Sequence, residues 1–176
     1  YTDTQVEIGS TYGYVVRSTH TFGVISNLSQ SLSVTIPYPT APESATNVQL
    51  LDLDASSEAN PLRVSWTSSV DSFVEEYLVY VSNTSLDDST ESIGEFTSEK
   101  NFKLGDRTYL PVATLTNSTT SYDFSVMSDY TDSSGSVTGG SIEDASQYWV
   151  AIAAVDIYDN ASLPLPFAGP TVSFNN

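Results

Sequence analysis

The chain has 176 residues, of which 22 are acidic and 5 are basic, and its formal net charge is -17. This charge repels nucleic acid and anionic membranes, so we expect no nucleic acid partner and no direct membrane insertion. The absence of cysteine excludes a disulfide framework, a thiolate metal site and a cysteine nucleophile. Short runs of β-branched and aromatic residues between turn-rich stretches predict an all-β protein with at most one short helical turn.

The first predicted strands lie in residues 6–26, VEIGSTYGYVVRSTHTFGVIS, which resemble residues 142–162, IEDASQYWVAIAAVDIYDNAS. The matched positions share one offset of 136 residues, so that Tyr12 aligns with Tyr148. A weak repeat of this kind is typical of tandem modules.

In the second copy of the repeat the side chains alternate between two faces, as they do in a β-strand. Both faces are apolar, one with Tyr148, Val150, Ile152 and Ala154, the other with Trp149, Ala151, Ala153 and Val155. The sequence therefore predicts a central strand, with Trp149 in a second core layer or, as the alternative, packed beneath an insertion. The spacing of Ile142 and Tyr148 also suits a tyrosine corner, in which a buried ring returns its hydroxyl to the backbone just upstream. Val6 and Tyr12 have the same spacing.

Three segments with strand patterns lie between the two copies, at residues 40–54, 61–83 and 112–126. The first opens with a Pro-rich linker, and the second contains Trp66 and Tyr77. This order resembles the fibronectin type III family, with strand A in the first segment, B and C in the second, C′ and E in the third, and F leading into G in the repeated stretch. The resemblance implies an antiparallel Greek-key β-sandwich of the fibronectin type III and immunoglobulin-like kind, with enlarged loops. It assigns structural roles to Trp66, Tyr77, Tyr12 and Tyr148.

The repeat divides the chain into two predicted domains. Residues 1–39 are the last strands, F and G, of an incomplete fibronectin type III-like domain, followed by the Pro-rich linker. Residues 40–176 are a complete, enlarged domain of the same kind. Its extra length lies in residues 84–107 and 128–141, which are polar and acidic. These insertions predict long surface loops or an added edge hairpin.

The incomplete first domain predicts a partner. A two-stranded hairpin is marginal in water, so its apolar face has to be covered. Strands from the upstream part of a longer polypeptide are one source, and another subunit is the alternative, as in strand-exchange polymers. Pro37, Pro39 and Pro42 predict a short, stiff joint between modules.

Few residues point to catalytic chemistry. His20 is the only histidine, and its counterpart in the second copy of the repeat is Asp156. A position that changes residue type between copies indicates a surface loop rather than a catalytic residue. No phosphate-binding loop or zinc-protease motif occurs, so we expect no enzyme, no catalytic residue and no cofactor other than calcium.

Calcium is the metal that the sequence favours, because it takes hard oxygen ligands in which the chain is rich. Asp156, Asp159 and Asn160 offer such ligands within one loop. Further candidates are Asp52, Asp54, Asp87 and Asp88. The alternative is that these residues bond their own backbone in turns, where Asp and Asn are favoured.

Four Asn-x-Ser/Thr sequons fall at predicted loops or strand ends, at Asn27, Asn83, Asn117 and Asn160. They predict surface glycosylation in an archaeal or eukaryotic secretory setting. Tyr38, Tyr109 and Tyr130 are predicted in linker or loop contexts, where they are available to a sugar or a partner module.

These features predict a structural or adhesive module of an extracellular surface assembly, such as a surface layer, filament, stalk or large adhesin. The absence of cysteine favours a prokaryotic source, archaea included. The resemblance to fibronectin type III modules implies an extracellular or cell-surface location. Expected partners are neighbouring modules or identical subunits at strand edges, and a glycan or other cell-surface ligand. The alternative is an accessory spacer or binding module of a secreted enzyme that degrades polysaccharide or protein.

Overall fold

The computed structural model describes residues 1–36, 40–53, 62–86, 93–96, 100–143, 146–164 and 168–172. The chain divides into two compact units, Tyr1–Thr40 and Ala41–Asn176, called unit 1 and unit 2 below. This division falls beside the predicted domain boundary. In the described ranges no helix is long and apolar enough to cross a membrane.

Unit 1 contains one antiparallel hairpin. Its strands are β1 (Thr11–Tyr14) and β2 (Leu32–Thr35). Tyr12 lies opposite Val34, and Tyr14 lies opposite Leu32. A further bridge between Thr19 and Ile25 continues the pairing toward the tip of the hairpin.

Unit 2 contains the remaining described strands. In chain order they are β3 (Thr46–Asp52), β4 (Leu62–Thr67), β5 (Val74–Ser82), β6 (Ile93–Phe96), β7 (Phe102–Leu104), β8 (Arg107–Tyr109), β9 (Ala113–Thr116), β10 (Ser121–Phe124), β11 (Tyr130–Asp132), β12 (Gly135–Val137), β13 (Gln147–Asp156) and β14 (Ala168–Val172). All of the recorded pairings are antiparallel. The expected all-β composition is confirmed.

Two of the sheets in unit 2 make a sandwich. One has the strand order β10-β4-β3 and the other the order β14-β13-β5-β9. In fibronectin type III letters these are E-B-A and G-F-C-C′, the arrangement that the sequence resemblance implied. Unit 2 is therefore an antiparallel β-sandwich of the fibronectin type III and immunoglobulin-like kind.

The core of the sandwich is built around Trp66 and Tyr77, whose rings meet edge to face with centroids 5.5 Å apart. The Tyr77 hydroxyl accepts a hydrogen bond from Ser69 N at 2.9 Å. Tyr148 lies in the same core, fully buried. Burying aromatic and branched side chains of this size contributes about 1.5–3 kcal/mol each, so this layer is a main source of stability.

The insertions form a third sheet, and the prediction of surface loops or an edge hairpin for them was wrong. The strand order of this sheet is β12-β11-β8-β7-β6, with strands from both insertions. Its residues Phe102, Leu104 and Tyr109 pack in one buried cluster with the outward face of β5 and β13. Because that face is apolar, it needs a cover, and the insertions supply it.

Two expectations about tyrosines were wrong, because both residues belong to the buried cluster between the third sheet and the outward face of β5 and β13 or pack against it. Tyr109, expected in a loop, is a buried residue of β8, and Tyr130, also expected in a loop, is half-buried on β11. Their ring centroids are 5.4 Å apart. Trp149, expected in the core, packs against the same cluster. Tyr38 lies outside the described residues.

The third sheet makes a testable contribution to stability. Phe102 is 0% exposed, so Phe102→Ala is expected to lower the free energy of unfolding by about 3–5 kcal/mol through lost burial and a cavity. The same substitution at Phe73, which is 56% exposed, should change it by about 0.5 kcal/mol or less. Urea denaturation followed by tryptophan fluorescence measures both. Equal effects of the two substitutions would show that the third sheet does not belong to the folded core.

Candidate interaction surface

The hairpin of unit 1 repeats the tyrosine corner of unit 2. Glu7 N donates a hydrogen bond to the Tyr12 hydroxyl at 2.8 Å, and Glu143 N donates one to the Tyr148 hydroxyl at 2.6 Å. Donor and acceptor are separated by five residues in both cases. The hydrogen bonds expected of a tyrosine corner are thus present in both copies.

A serine side chain enters the strand pairing at the same position in each copy. Ser18 N donates to Ser26 Oγ at 2.9 Å in unit 1. Ala154 N donates to Ser162 Oγ, also at 2.9 Å, in unit 2. Since the serine hydroxyl here accepts from a strand amide, Ser162 stays satisfied although it is buried.

The two copies also share the turn at the tip of the hairpin. A backbone hydrogen bond closes it, between His20 N and Val24 O (2.7 Å) in unit 1 and between Asp156 N and Asn160 O (3.0 Å) in unit 2. Each turn contains a residue in the left-handed region, Gly23 (φ 81°) in unit 1 and Asp159 (φ 63°) in unit 2. The 136-residue repeat is therefore a repeat of backbone geometry.

His20 serves this turn. Its Nδ1 accepts a hydrogen bond from Phe22 N at 3.3 Å, and its ring stacks on Phe22 at 5.3 Å. In unit 2 the equivalent acceptor is Asp156 Oδ1, which receives Tyr158 N at 2.8 Å. The structure places His20 in an exposed position of the turn.

One face of the unit 1 hairpin, called the open face below, is apolar, and its two tyrosines are half-buried while its three aliphatic side chains are exposed. It consists of Tyr12, Tyr14, Val16, Leu32 and Val34. Val16 is 72% exposed and Leu32 is 65% exposed. The counterparts of Tyr12, Tyr14 and Val16 in unit 2, which are Tyr148, Val150 and Ile152, are at most 1% exposed. The open face is the feature of the described chain that most clearly calls for a partner.

The Asp156 carboxylate, a predicted calcium ligand, is engaged by its own turn. Asn160 N donates to Oδ1 at 2.9 Å, and Asn160 Nδ2 donates to Oδ2 at 3.0 Å. Burial acts to raise the pKa of Asp156, but the hydrogen bonds from Asn160 and Tyr158 N lower it below its ordinary value. The arrangement is an Asx-type turn, as the alternative interpretation of these residues proposed.

Asp159, the second predicted calcium ligand, faces a cation. Lys100 Nζ lies 3.2 Å from Asp159 Oδ1 and also pairs with Glu76. In the described ranges no three acidic, histidine or cysteine side chains are grouped to hold a metal. Asp52 ends β3, and Asp54, Asp87 and Asp88 lie outside the described residues. The calcium site stays a prediction.

The sequons differ in what their side-chain amides do. Asn117 Nδ2 donates to Val74 O at 2.9 Å, and Asn160 Nδ2 donates to Asp156. Asn27 and Asn83 are exposed, and their amide nitrogens donate to no described residue. Glycosylation at all four sites stays a prediction, but only two of them present a free amide.

Arg107 is a residue to which the amino-acid sequence alone assigned no role. Its guanidinium lies over the Tyr130 ring, 5.8 Å from the centroid, and donates to Thr84 Oγ1 at 2.7 Å. Beside these residues is a cavity of about 180 Å³, lined in part by Asn83 and Tyr109. It is smaller than the roughly 300–1,000 Å³ of typical ligand pockets. Arg107 and Tyr130 belong to segments that are distant in sequence, so no local sequence pattern indicates their contact.

Comparisons with known proteins add little to this geometry. No protein-family model matches the chain, and no curated protein matches it. Among solved structures, the FN1–FN3 domains of chicken CNTN1 are similar, with 11% sequence identity and a TM-score of 0.44. The match covers 99% of this chain and 46% of that chain, so this chain spans about half of its length.

The tyrosine corner gives a matched pair of variants. Tyr148→Phe is expected to lower the free energy of unfolding of unit 2 by about 1–3 kcal/mol, because Glu143 N loses its acceptor. Tyr12→Phe removes the same hydroxyl from unit 1, so the unfolding of unit 2 should change by about 0.5 kcal/mol or less. Urea denaturation followed by the fluorescence of Trp66 and Trp149 reports on unit 2. An unchanged midpoint for Tyr148→Phe would contradict the prediction.

The sequons give a second test. A sugar is attached through the side-chain nitrogen of asparagine, and in Asn117 and Asn160 that nitrogen already donates a hydrogen bond. We therefore expect a purified oligosaccharyltransferase with its lipid-linked donor to modify the folded chain at Asn27 and Asn83 only. Peptide mass spectrometry locates the sugars, and single Asn→Gln variants are the controls. Modification of Asn117 or Asn160 in the folded chain would refute this expectation.

Proposed function

We propose that the chain is a structural or adhesive module of an extracellular surface assembly, without catalytic activity of its own. Surface layers, filaments, stalks and large adhesins are assemblies of this class. One observation carries the proposal: the F–G hairpin of one sandwich precedes a complete sandwich, with the same hydrogen bonds at a constant offset. This spacing is that of tandem modules, which set distance and orientation in elongated proteins.

The construction of unit 2 supports a mechanical role. Its central strands β5 and β13 are covered on both sides, by the β3-containing sheet and by the third sheet. A module with two cores resists local opening better than one whose sheet is exposed on one side. In this role the net charge of -17 keeps the surface soluble and attracts cations.

The expected location is outside the cell, at the surface of a prokaryote, archaea included. The absence of cysteine and the free amides of Asn27 and Asn83 support this setting. Neighbouring modules or identical subunits are the proposed partners, and the open face of unit 1 is the place for one of them. Calcium bound at Asp156, Asp159 and Asn160 would belong to the same setting, but it would have to displace the hydrogen bonds of the turn.

A second candidate function is an accessory spacer or binding module of a secreted enzyme that degrades polysaccharide or protein. An exposed apolar group at one end of the sandwich favours it. Phe73, Ile157 and Tyr158 are each about half exposed, and Ile157 N donates to Phe73 O at 3.1 Å. Exposed aromatic residues on a rigid loop pair are a common way to contact sugars and peptides.

Immunogold labelling separates the two functions. Antibodies raised against the folded chain should label intact cells of the source organism densely and in regular arrays, because a surface assembly displays many copies. Labelling confined to permeabilised cells would refute the extracellular proposal. Recovery of the chain from the culture medium together with a polysaccharide- or protein-degrading activity would favour the accessory module instead.

A further inference from the structure

The residues of unit 2 that correspond to the open face are covered by other strands of the sandwich. Those strands indicate what kind of partner would fit the open face. Tyr148, Val150 and Ile152 pack in the sandwich core against the inward side chains of β4 and β10, among them Val64 and Phe124. Tyr12 and Tyr14 on β1, and Val16 just after it, occupy the equivalent positions of the repeat, with the same tyrosine corner. A cover for the open face therefore has the alternating apolar pattern of strands A, B and E.

The unpaired edge of β1 sets a second requirement for a partner of unit 1. In the described part of unit 1, β1 pairs with β2 alone. Its equivalent β13 pairs with β14 on one side and with β5 on the other. The free edge of β1 thus presents backbone groups where unit 2 has strand C, and a partner strand would satisfy them.

The opposite face of β1 and of the residues after it indicates whether a further layer is needed on that side. Gly13 of β1 lies on this face, as do Val15, Arg17 and Thr19 in the residues that follow the strand, and all four are exposed. The equivalent face of β13 carries Trp149, Ala151, Ala153 and Val155, which lie against the third sheet. A glycine, a threonine and a charged arginine at these positions remove the need for a third layer.

We propose that the hairpin of unit 1 is completed by strands A, B, C and E of an ordinary two-layer fibronectin type III-like sandwich, supplied by residues that precede Tyr1 in a longer polypeptide. The inference rests on the proposed function as a tandem module and specifies its partner. A second copy of this chain fits less well. In each copy the sheets of unit 2 already contain their own F and G strands, β13 and β14, so no vacant F–G position is offered.

Hydroxyl-radical footprinting read by mass spectrometry tests this proposal. In the isolated 176-residue chain, exposed Leu32 should be modified readily, and half-buried Tyr12 and Tyr14 should be modified at rates between those of buried Tyr148 and exposed Tyr158. In the longer natural polypeptide their rates should fall at least about tenfold, toward that of buried Tyr148. Tyr158 and Tyr148 serve as internal references in both samples.

Two results would overturn the proposal. One is a natural polypeptide in which Tyr12 and Tyr14 react as fast as they do in the isolated chain. The other is protection in the isolated chain that grows with protein concentration, since it would make a second copy the occupant. Either result, combined with surface labelling of intact cells, would leave the proposed function standing and remove only this partner.

A matched pair of substitutions in the longer polypeptide sharpens the test. Leu32→Asp places a charge on the open face and should restore the Tyr12 modification rate of the isolated chain. Leu163→Asp changes a similarly exposed leucine of unit 2 and should leave Tyr12 protected. Equal effects of the two substitutions on Tyr12 would overturn the proposal, because protection would then not depend on docking at the open face.

Discussion

The pairing of β5 with β13 is the interaction on which the rest of unit 2 depends. The two strands pair over most of their length, with Ile152 opposite Val79 near the middle. Side chains of both strands are buried on both faces, so the sheet cannot be stable with either face in water. The β3-containing sheet covers one face and the third sheet covers the other. The acidic insertions are therefore part of the folding unit.

The two copies of the repeat share a backbone but differ in what surrounds it. The tyrosine corner, the serine in the strand pairing and the closing turn are the same in both. The outward face changes from Ala153 and Val155 in β13 to Arg17 and Thr19, which follow β1, and the need for a third layer changes with it. One supersecondary unit thus occurs with a buried, apolar outward face in unit 2 and with an exposed, partly polar outward face in unit 1.

The turn between F and G shows how a polar residue can be structural in an acidic protein. Asp156 is 3% exposed, yet its carboxylate receives hydrogen bonds from the amides of the turn, so its charge is compensated. His20 takes the same place in unit 1 through its ring nitrogen. Different side chains with an acceptor in the same position keep the same turn, which accounts for the change of residue type between the copies.

The sequence by itself determined the sandwich strands, their order and the repeat, because alternating apolar residues, Trp66 and the spaced tyrosines are local signals that each strand carries. It also showed that both faces of β13 are apolar. Only the tertiary structure decided what covers the second face, since the third sheet joins segments that are polar on average and distant in sequence. The burial of Tyr109, the contact of Arg107 with Tyr130 and the engaged amide of Asn117 likewise depend on long-range contacts, for which no local pattern exists.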